Sequence, residues 1–272
     1  MAYEMKNPTT DEQKLDFLVE AFKEDSVEYK DMETPPDREG KRVLLRSLMN
    51  IRMPKEMPEE TIRIQDEYLR GRTEEKGIVR AEEIPTAREG FCIWQGDITR
   101  LACDAIVNAA NSQMLGCFRP MHTCIDNCIH TFAGVQLRAE CSRQMNELRQ
   151  KHGQNYEQPT AVPMLTDAYN LPAKKVIHIV GPIVYDTLTP ALEKDLADCY
   201  KNTLDLCEKE GLRSVAFCCI STGVFNFPND QAAKIAVATS EEWMTEHPGA
   251  IDRIIFNVFK DEDKEYYERE LQ

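Results

Sequence analysis

A chain of 272 residues exceeds one average domain, so it reads as an enlarged domain or as a domain with an appendage, long enough to bury a sizeable core. Hydrophobic residues at 42% suit a globular protein, and no run approaches the roughly 18 apolar residues of a membrane span, which argues against a membrane protein. A formal charge of -14 repels a phosphate backbone and so argues against general nucleic-acid binding; a phosphate ligand would have to be held by local backbone groups.

The first thirty residues lack a basic stretch followed by an apolar one, so the cytoplasm is the expected compartment. In that compartment most of the ten cysteines are expected to be buried free thiols, several of them (Cys92, Cys103, Cys218, Cys219) inside apolar runs. In chain order, Thr10 and Gln13 are spaced as a capping box ahead of a helix that carries Leu15, Leu18, Val19 and Phe22 on one face. A second start signal at Thr34-Pro35-Pro36-Asp37 leads into Val43, Leu44, Leu45, Leu48 and Met49. A third helix with Ile62, Ile64, Tyr68 and Leu69 is expected to end near Gly71, so residues 1–80 read as a helical unit. Beyond Gly90 the texture changes to short apolar runs alternating with helical stretches, the mark of an α/β domain with a mostly parallel sheet over 81–272. Strands are predicted at 91–94, 105–108, 176–180, 215–220 and 253–258, with helices at 127–150, 190–209, 231–246 and 262–271. Acidic runs near both ends read as solvated helix faces.

Two loops at predicted strand ends are candidate ligand sites, because ligands of α/β sheets bind outside the carboxyl ends of strands. One is Asn108-Ala109-Ala110-Asn111-Ser112; the other runs from Ser221 through Thr222, Gly223, Val224, Phe225, Asn226 and Phe227 to Pro228. Gly223 permits a turn whose successive amides could converge on a phosphate, although such turns are more often only structural. A third motif is Cys117, His122 and Cys124, with Asp126 beyond. Thiolates and imidazole suit zinc, and three protein ligands with one open position describe a catalytic site; Cys128, four residues past Cys124, could instead close a structural one, or the cysteines could be ordinary free thiols. His130 and His178, among apolar neighbours, read as hydrogen-bonded core histidines.

Several of these segments together resemble one family. Gly96-Asp97-Ile98-Thr99 and then Asp104-Ala105-Ile106-Val107-Asn108-Ala109-Ala110-Asn111 resemble the opening of the macrodomains, and Asp126-Asn127-Cys128-Ile129-His130-Thr131-Phe132-Ala133-Gly134 resembles a helix start of their MacroD-type hydrolases. Ser221 to Pro228 resembles the second phosphate loop of that group, and the whole likeness covers residues 90–260. Where MacroD-type proteins carry a glycine run, this chain has Gly116-Cys117-Phe118-Arg119-Pro120-Met121-His122-Thr123-Cys124, which resembles the zinc-containing branch, a branch with a helical N-terminal extension.

The resemblance implies a three-layer macrodomain with a mixed, mostly parallel sheet, and a zinc held by Cys117, His122 and Cys124. It implies that Asp97 accepts the adenine amino group, Ile98 lies against the ring, and Asn111 orients the distal ribose. Ser221 to Phe225 would then bind substrate, with the amides of Gly223, Val224 and Phe225 on the pyrophosphate and the Phe225 ring over the distal ribose. Asn111 and Asp126 would be the catalytic pair of a monomeric hydrolase that takes mono-ADP-ribose off an acidic side chain. The resemblance points to a lipoyl-carrier protein, modified by a sirtuin-type transferase, as target. A non-catalytic ADP-ribose reader with a structural zinc and an O-acetyl-ADP-ribose deacetylase are the alternatives.

Overall fold

A computed structural model describes residues 8–272. Three helices lead the chain: α1 (Asp11–Glu24), α2 (Arg38–Ile51) and α3 (Glu59–Lys76). Thr10 caps α1 and forms the expected reciprocal box with Gln13, while Asp37 caps α2 through the amide of Gly40. The expected stop near Gly71 is corrected: α3 runs on to Lys76. Glycine inside a helix costs only about 1 kcal/mol, whereas Gly77, at φ +82°, takes a conformation that ends the helix without a Cβ penalty.

The short strands β1 (Val79–Arg80), β2 (Thr86–Arg88), β3 (Phe91–Gln95) and β4 (Leu101–Ala102) precede β5 (Ala105–Ala110). Helices α4 (Ile125–Ala133) and α5 (Val135–His152) follow, then β6 (Met164–Asp167), β7 (Lys175–Val180), α6 (Pro190–Glu210), β8 (Ser214–Phe217), α7 (Asn229–Glu246), β9 (Arg253–Val258) and α8 (Asp261–Glu270). The seven-stranded sheet has the order β2-β3-β9-β8-β5-β7-β6; the five inner strands are parallel and the two edge strands antiparallel. β5, β7 and β9 are buried along nearly their whole length, as strands are when helices cover both faces. On one side α4 lies on β5 and α5 on β6; on the other α6, α7 and α8 pack side by side over β7, β3 and β9. No helix among the described residues is long and apolar enough to cross a membrane.

Two further predicted elements are corrected. The helix expected over 127–150 is broken into α4 and α5 at Gly134, whose φ of +95° and ψ of 173° lie where side chains are not tolerated. The strand expected over 215–220 stops at Phe217; Cys218 and Ile220 lie in the irregular segment that follows and are buried there. The edge strands β2 and β6 and the β1–β4 pair, each two to four residues long, lie outside the predicted set.

The N-terminal helices bury their own cluster, in which Leu15, Leu18, Leu45, Leu48 and Ile64 meet Val135, the first residue of α5. Gln65 fixes this junction: its Oε1 accepts from the Val135 amide at 3.1 Å and its Nε2 donates to Gln136 at 2.7 Å. A Cβ on Gly134 would stand 2.7 Å from Gln65 Nε2 and 2.8 Å from Gln136 Oε1. Gly134→Ala is therefore expected to lose at least the 1–3 kcal/mol of backbone strain, read as a lower urea midpoint, because both the helix break and the seat of α3 resist a side chain.

Candidate functional site

Because β3, β5, β7, β8 and β9 run parallel, the loops that leave their carboxyl ends gather along one edge of the sheet. Asp97 follows β3, Asn111 and the cysteine loop follow β5, and Ser221 to Pro228 lie beyond β8. All three segments singled out in the sequence thus share that edge.

In the loop after β8, Ser221 and Asn226 take left-handed backbone conformations (φ 65° and 56°). Phe227 donates back to the Ser221 carbonyl at 3.0 Å and Asn226 to that of Gly223 at 3.1 Å, which curls the chain. Within that curl the amides of Gly223, Val224 and Phe225 meet no acceptor among the described residues, although neighbouring amides are paired. Three successive free donors in a tight loop could receive an anion without a net charge. Thr222 gives its hydroxyl to the Cys219 carbonyl, Val224 is exposed, and Phe225 is half-buried with its carbonyl accepting from Val184 at 2.9 Å. Gly181 sits directly beneath: a Cβ there would fall 2.1 Å from Ser221 Oγ.

The irregular loop over 111–124 is held largely by one amide. Asn127, fully buried at the start of α4, donates from Nδ2 to the Cys117 and Arg119 carbonyls at 3.2 and 3.0 Å, and its own backbone amide points at Cys124 Sγ at 3.4 Å. Cys117 Sγ lies 3.5 Å from His122 Nδ1, and the donor atoms of Cys117, His122 and Cys124 all fall within 4.8 Å of one another, half-buried. Two sulfurs and an imidazole at such separations fit the donor preference and coordination radius of zinc. Cys128 does not join them: its Sγ turns toward the Arg46 guanidinium, 3.6 Å away.

Asp126 is buried; its Oδ1 accepts from Asn108 Nδ2 at 2.8 Å and lies 3.6 Å from His130 Nε2. Burial pushes its carboxyl up to about 6, against the Asn108 hydrogen bond and the charge of Arg138. Asn108 also donates to His178 Nδ1 at 3.0 Å; that nitrogen is therefore bare, and Nε2 carries the proton toward Thr166 Oγ1 at 3.0 Å. Burial holds His178 down to about 3 and His130 well below its ordinary value; His178 is the hydrogen-bonded core group expected, whereas His130 corrects that expectation, being buried with neither ring nitrogen hydrogen-bonded, and with Cys141 the two rings form a second compact set of donor atoms. Asn111 is engaged locally: Nδ2 donates to the Gly116 carbonyl and Oδ1 accepts from Gln113. Ile98 is buried in the core, and its carbonyl accepts from the Leu101 amide.

Asp97 caps a 3-10 turn through Thr99, and its Oδ2 pairs with Lys76 Nζ at 2.9 Å. That ammonium stands 3.2 Å over the Phe132 ring. Burial works to raise the Asp97 carboxyl, but the Thr99 hydrogen bonds and the Lys76 charge outweigh it and hold it below its ordinary value. From the sequence alone Lys76, Asn108 and Asn127 receive no role of their own; Asn108 and Asn127 stand inside quoted motifs, whereas Lys76 carries no signal there.

Residues 107–236 match the family model for the Macro domain. A protein-ADP-ribose hydrolase of Treponema medium is 45% identical over 264 residues, covering 96% of this chain and 98% of the relative, and one of Staphylococcus aureus (strain MRSA252) is 38% identical with 97% of each covered. Among solved structures, the Trypanosoma brucei macrodomain in complex with ADP-ribose superposes with a TM-score of 0.60 at 33% identity, over 71% of this chain and 76% of that one. The Oceanobacillus iheyensis macrodomain with ADP gives 0.58 at 34% identity, over 69% and 93%. Gly181→Ala is expected to displace the loop above it, lowering the thermal midpoint and moving the amide resonances of Gly223 to Phe225 while leaving those of α1 to α3 in place.

Proposed function

This chain belongs to the Macro domain family, and we propose that it is a zinc-dependent hydrolase that removes a single ADP-ribose from an acidic side chain of a modified protein. The observation that carries the reading is the meeting, at one sheet edge, of three unpaired loop amides with a Cys-His-Cys donor set. The full-length likeness to protein-ADP-ribose hydrolases and the fold shared with an ADP-ribose-bound macrodomain support it.

In this reading Gly223, Val224 and Phe225 donate their amides to the pyrophosphate, so an acidic protein holds an anion without a cationic side chain. Asp97, kept ionised by Thr99 and Lys76, accepts the adenine amino group, and the Ile98 backbone borders the ring. Ser221 and Thr222 shape the cradle, and the Phe225 ring covers the distal ribose. Asn111 releases its local bonds to orient that ribose, and Asp126 holds a ribose hydroxyl or takes a proton from the attacking water. Cys117, His122 and Cys124 would hold the zinc, which when bound supplies a Lewis acid or a water of lowered pKa. The domain border lies near residue 80, where β1 already pairs with β4, so the extension is stitched to the macrodomain at its last turn.

His122→Ala is expected to abolish release of ADP-ribose from a mono-ADP-ribosylated protein and to lower zinc content, with calorimetric ADP-ribose affinity within a few-fold of the parent. Cys128→Ala is expected to retain zinc while Cys124→Ala loses it; equal loss from both would identify a closed, structural site. Asp97→Ala is expected to weaken ADP-ribose by roughly 1–3 kcal/mol, the penalty of an unmet polar contact; unchanged calorimetric affinity would remove the adenine assignment.

A further inference from the structure

The loop that carries Cys117, His122 and Cys124 is held from outside the macrodomain. Arg46 on α2 donates from Nη2 to the His122 carbonyl at 2.8 Å and to Asn127 Oδ1 at 2.9 Å, with Cys128 Sγ at 3.6 Å. One turn further along the same helix, fully buried Asn50 accepts from the Met121 amide at 3.0 Å and donates to Thr131 Oγ1 at 2.9 Å. These two side chains therefore grip the residues on either side of the His122 peptide plane and the α4 amide that fixes Cys117.

The grip has work to do. Met121 takes a left-handed conformation (φ 57°), a state that costs a side-chain residue roughly 1–2 kcal/mol and persists only where the surroundings impose it. Met114 earlier in the loop is similarly placed (φ 58°). Arg138 of α5 completes the brace, donating to the Leu115 carbonyl and to the Met49 carbonyl of α2, with its guanidinium over the Phe118 ring. Within the loop itself His122 makes one backbone bond, from its amide to the Arg119 carbonyl at 3.3 Å. The contact of Arg46 with Cys128 also keeps that thiol turned from the ligand set.

We propose that Arg46 and Asn50 are positioning residues of the metal centre, so that the N-terminal helices set how tightly, and in what geometry, the Cys117, His122 and Cys124 loop binds its metal. This rests on the zinc reading above. Outer partners that orient metal ligands are worth about 10–100-fold in affinity, and the same scale is expected here.

The test uses the full chain with Arg46→Met, Arg46→Lys, Asn50→Ala and, as a control on the same helix, Ser47→Ala, whose hydroxyl returns only to the Val43 carbonyl. Zinc dissociation constants are measured by chelator competition, and ligand geometry by the visible spectrum of the cobalt-loaded proteins. Arg46→Met and Asn50→Ala are expected to bind zinc 10–100-fold more weakly with an altered cobalt spectrum, Arg46→Lys to recover part of the loss, and Ser47→Ala to match the parent. Calorimetric ADP-ribose binding should stay within a few-fold in all four. Asn50→Ala decides the matter should Arg46→Met not fold. Parent-like zinc constants and cobalt spectra in Arg46→Met and Asn50→Ala would overturn the inference while leaving the zinc reading intact. A parent protein that takes up no zinc would remove the zinc reading and this inference with it.

Discussion

A buried carboxamide carries the most structural responsibility in this molecule. Asn127 has no water to turn to, so each of its polar atoms must find a partner within the chain, and it finds them in the segments that have no regular structure of their own. Its two N–H groups bind carbonyls of the cysteine loop, its oxygen takes a proton donor from α2, and its backbone oxygen takes the Thr131 hydroxyl. An apolar residue there would strip the Cys117 carbonyl of its donor and take one partner each from the Arg119 carbonyl and the Arg46 guanidinium. The geometry of the Cys-His-Cys set thus depends on a side chain that touches none of the three donor atoms.

The same economy joins the two hydrophobic clusters. Helices α1 to α3 have a core of their own that takes in Val135 of α5, and beside it Arg46, Asn50, Gln65 and Lys76 make polar contacts with the rest of the chain. Each ends on a specific group of the sheet-bearing part rather than on a greasy surface. Polar contacts of this kind fix register more than they add stability, because an unpaired buried group is costly while a paired one contributes modestly. At the sheet edge the extension consequently reaches two separate places, the cysteine loop through α2 and the Asp97 turn through the end of α3.

Much of this was legible in the sequence, for identifiable reasons. Apolar periodicity located every long helix and the five inner strands, because burial on both faces writes continuous apolar runs. The Cys-x4-His-x-Cys spacing and the Ser221 to Pro228 turn were visible as chemistry and as backbone freedom. The break at Gly134 was hidden, since a single glycine within a helical pattern does not reveal its φ. The short edge strands offer too few residues to show alternation. Arg46, Asn50 and Lys76 were illegible because a polar residue beside an apolar stripe looks like solvated surface until the partner, 71 to 81 positions away for Arg46 and Asn50 and 21 for Lys76, is brought to it.

Three unpaired amides on a chain of net charge -14 would have a kinetic consequence for any anion they receive. Proteins that hold nucleotides with lysines and arginines draw them in by long-range attraction, and salt slows that encounter. Here the far field opposes an anion and attraction begins only at hydrogen-bonding distance, so dissolved salt, which screens exposed charges beyond about 10 Å at 0.1 M, shields the repulsion and spares the contact. Association with an anionic ligand accordingly quickens as ionic strength rises, whereas departure, governed by short contacts inside the loop, responds little.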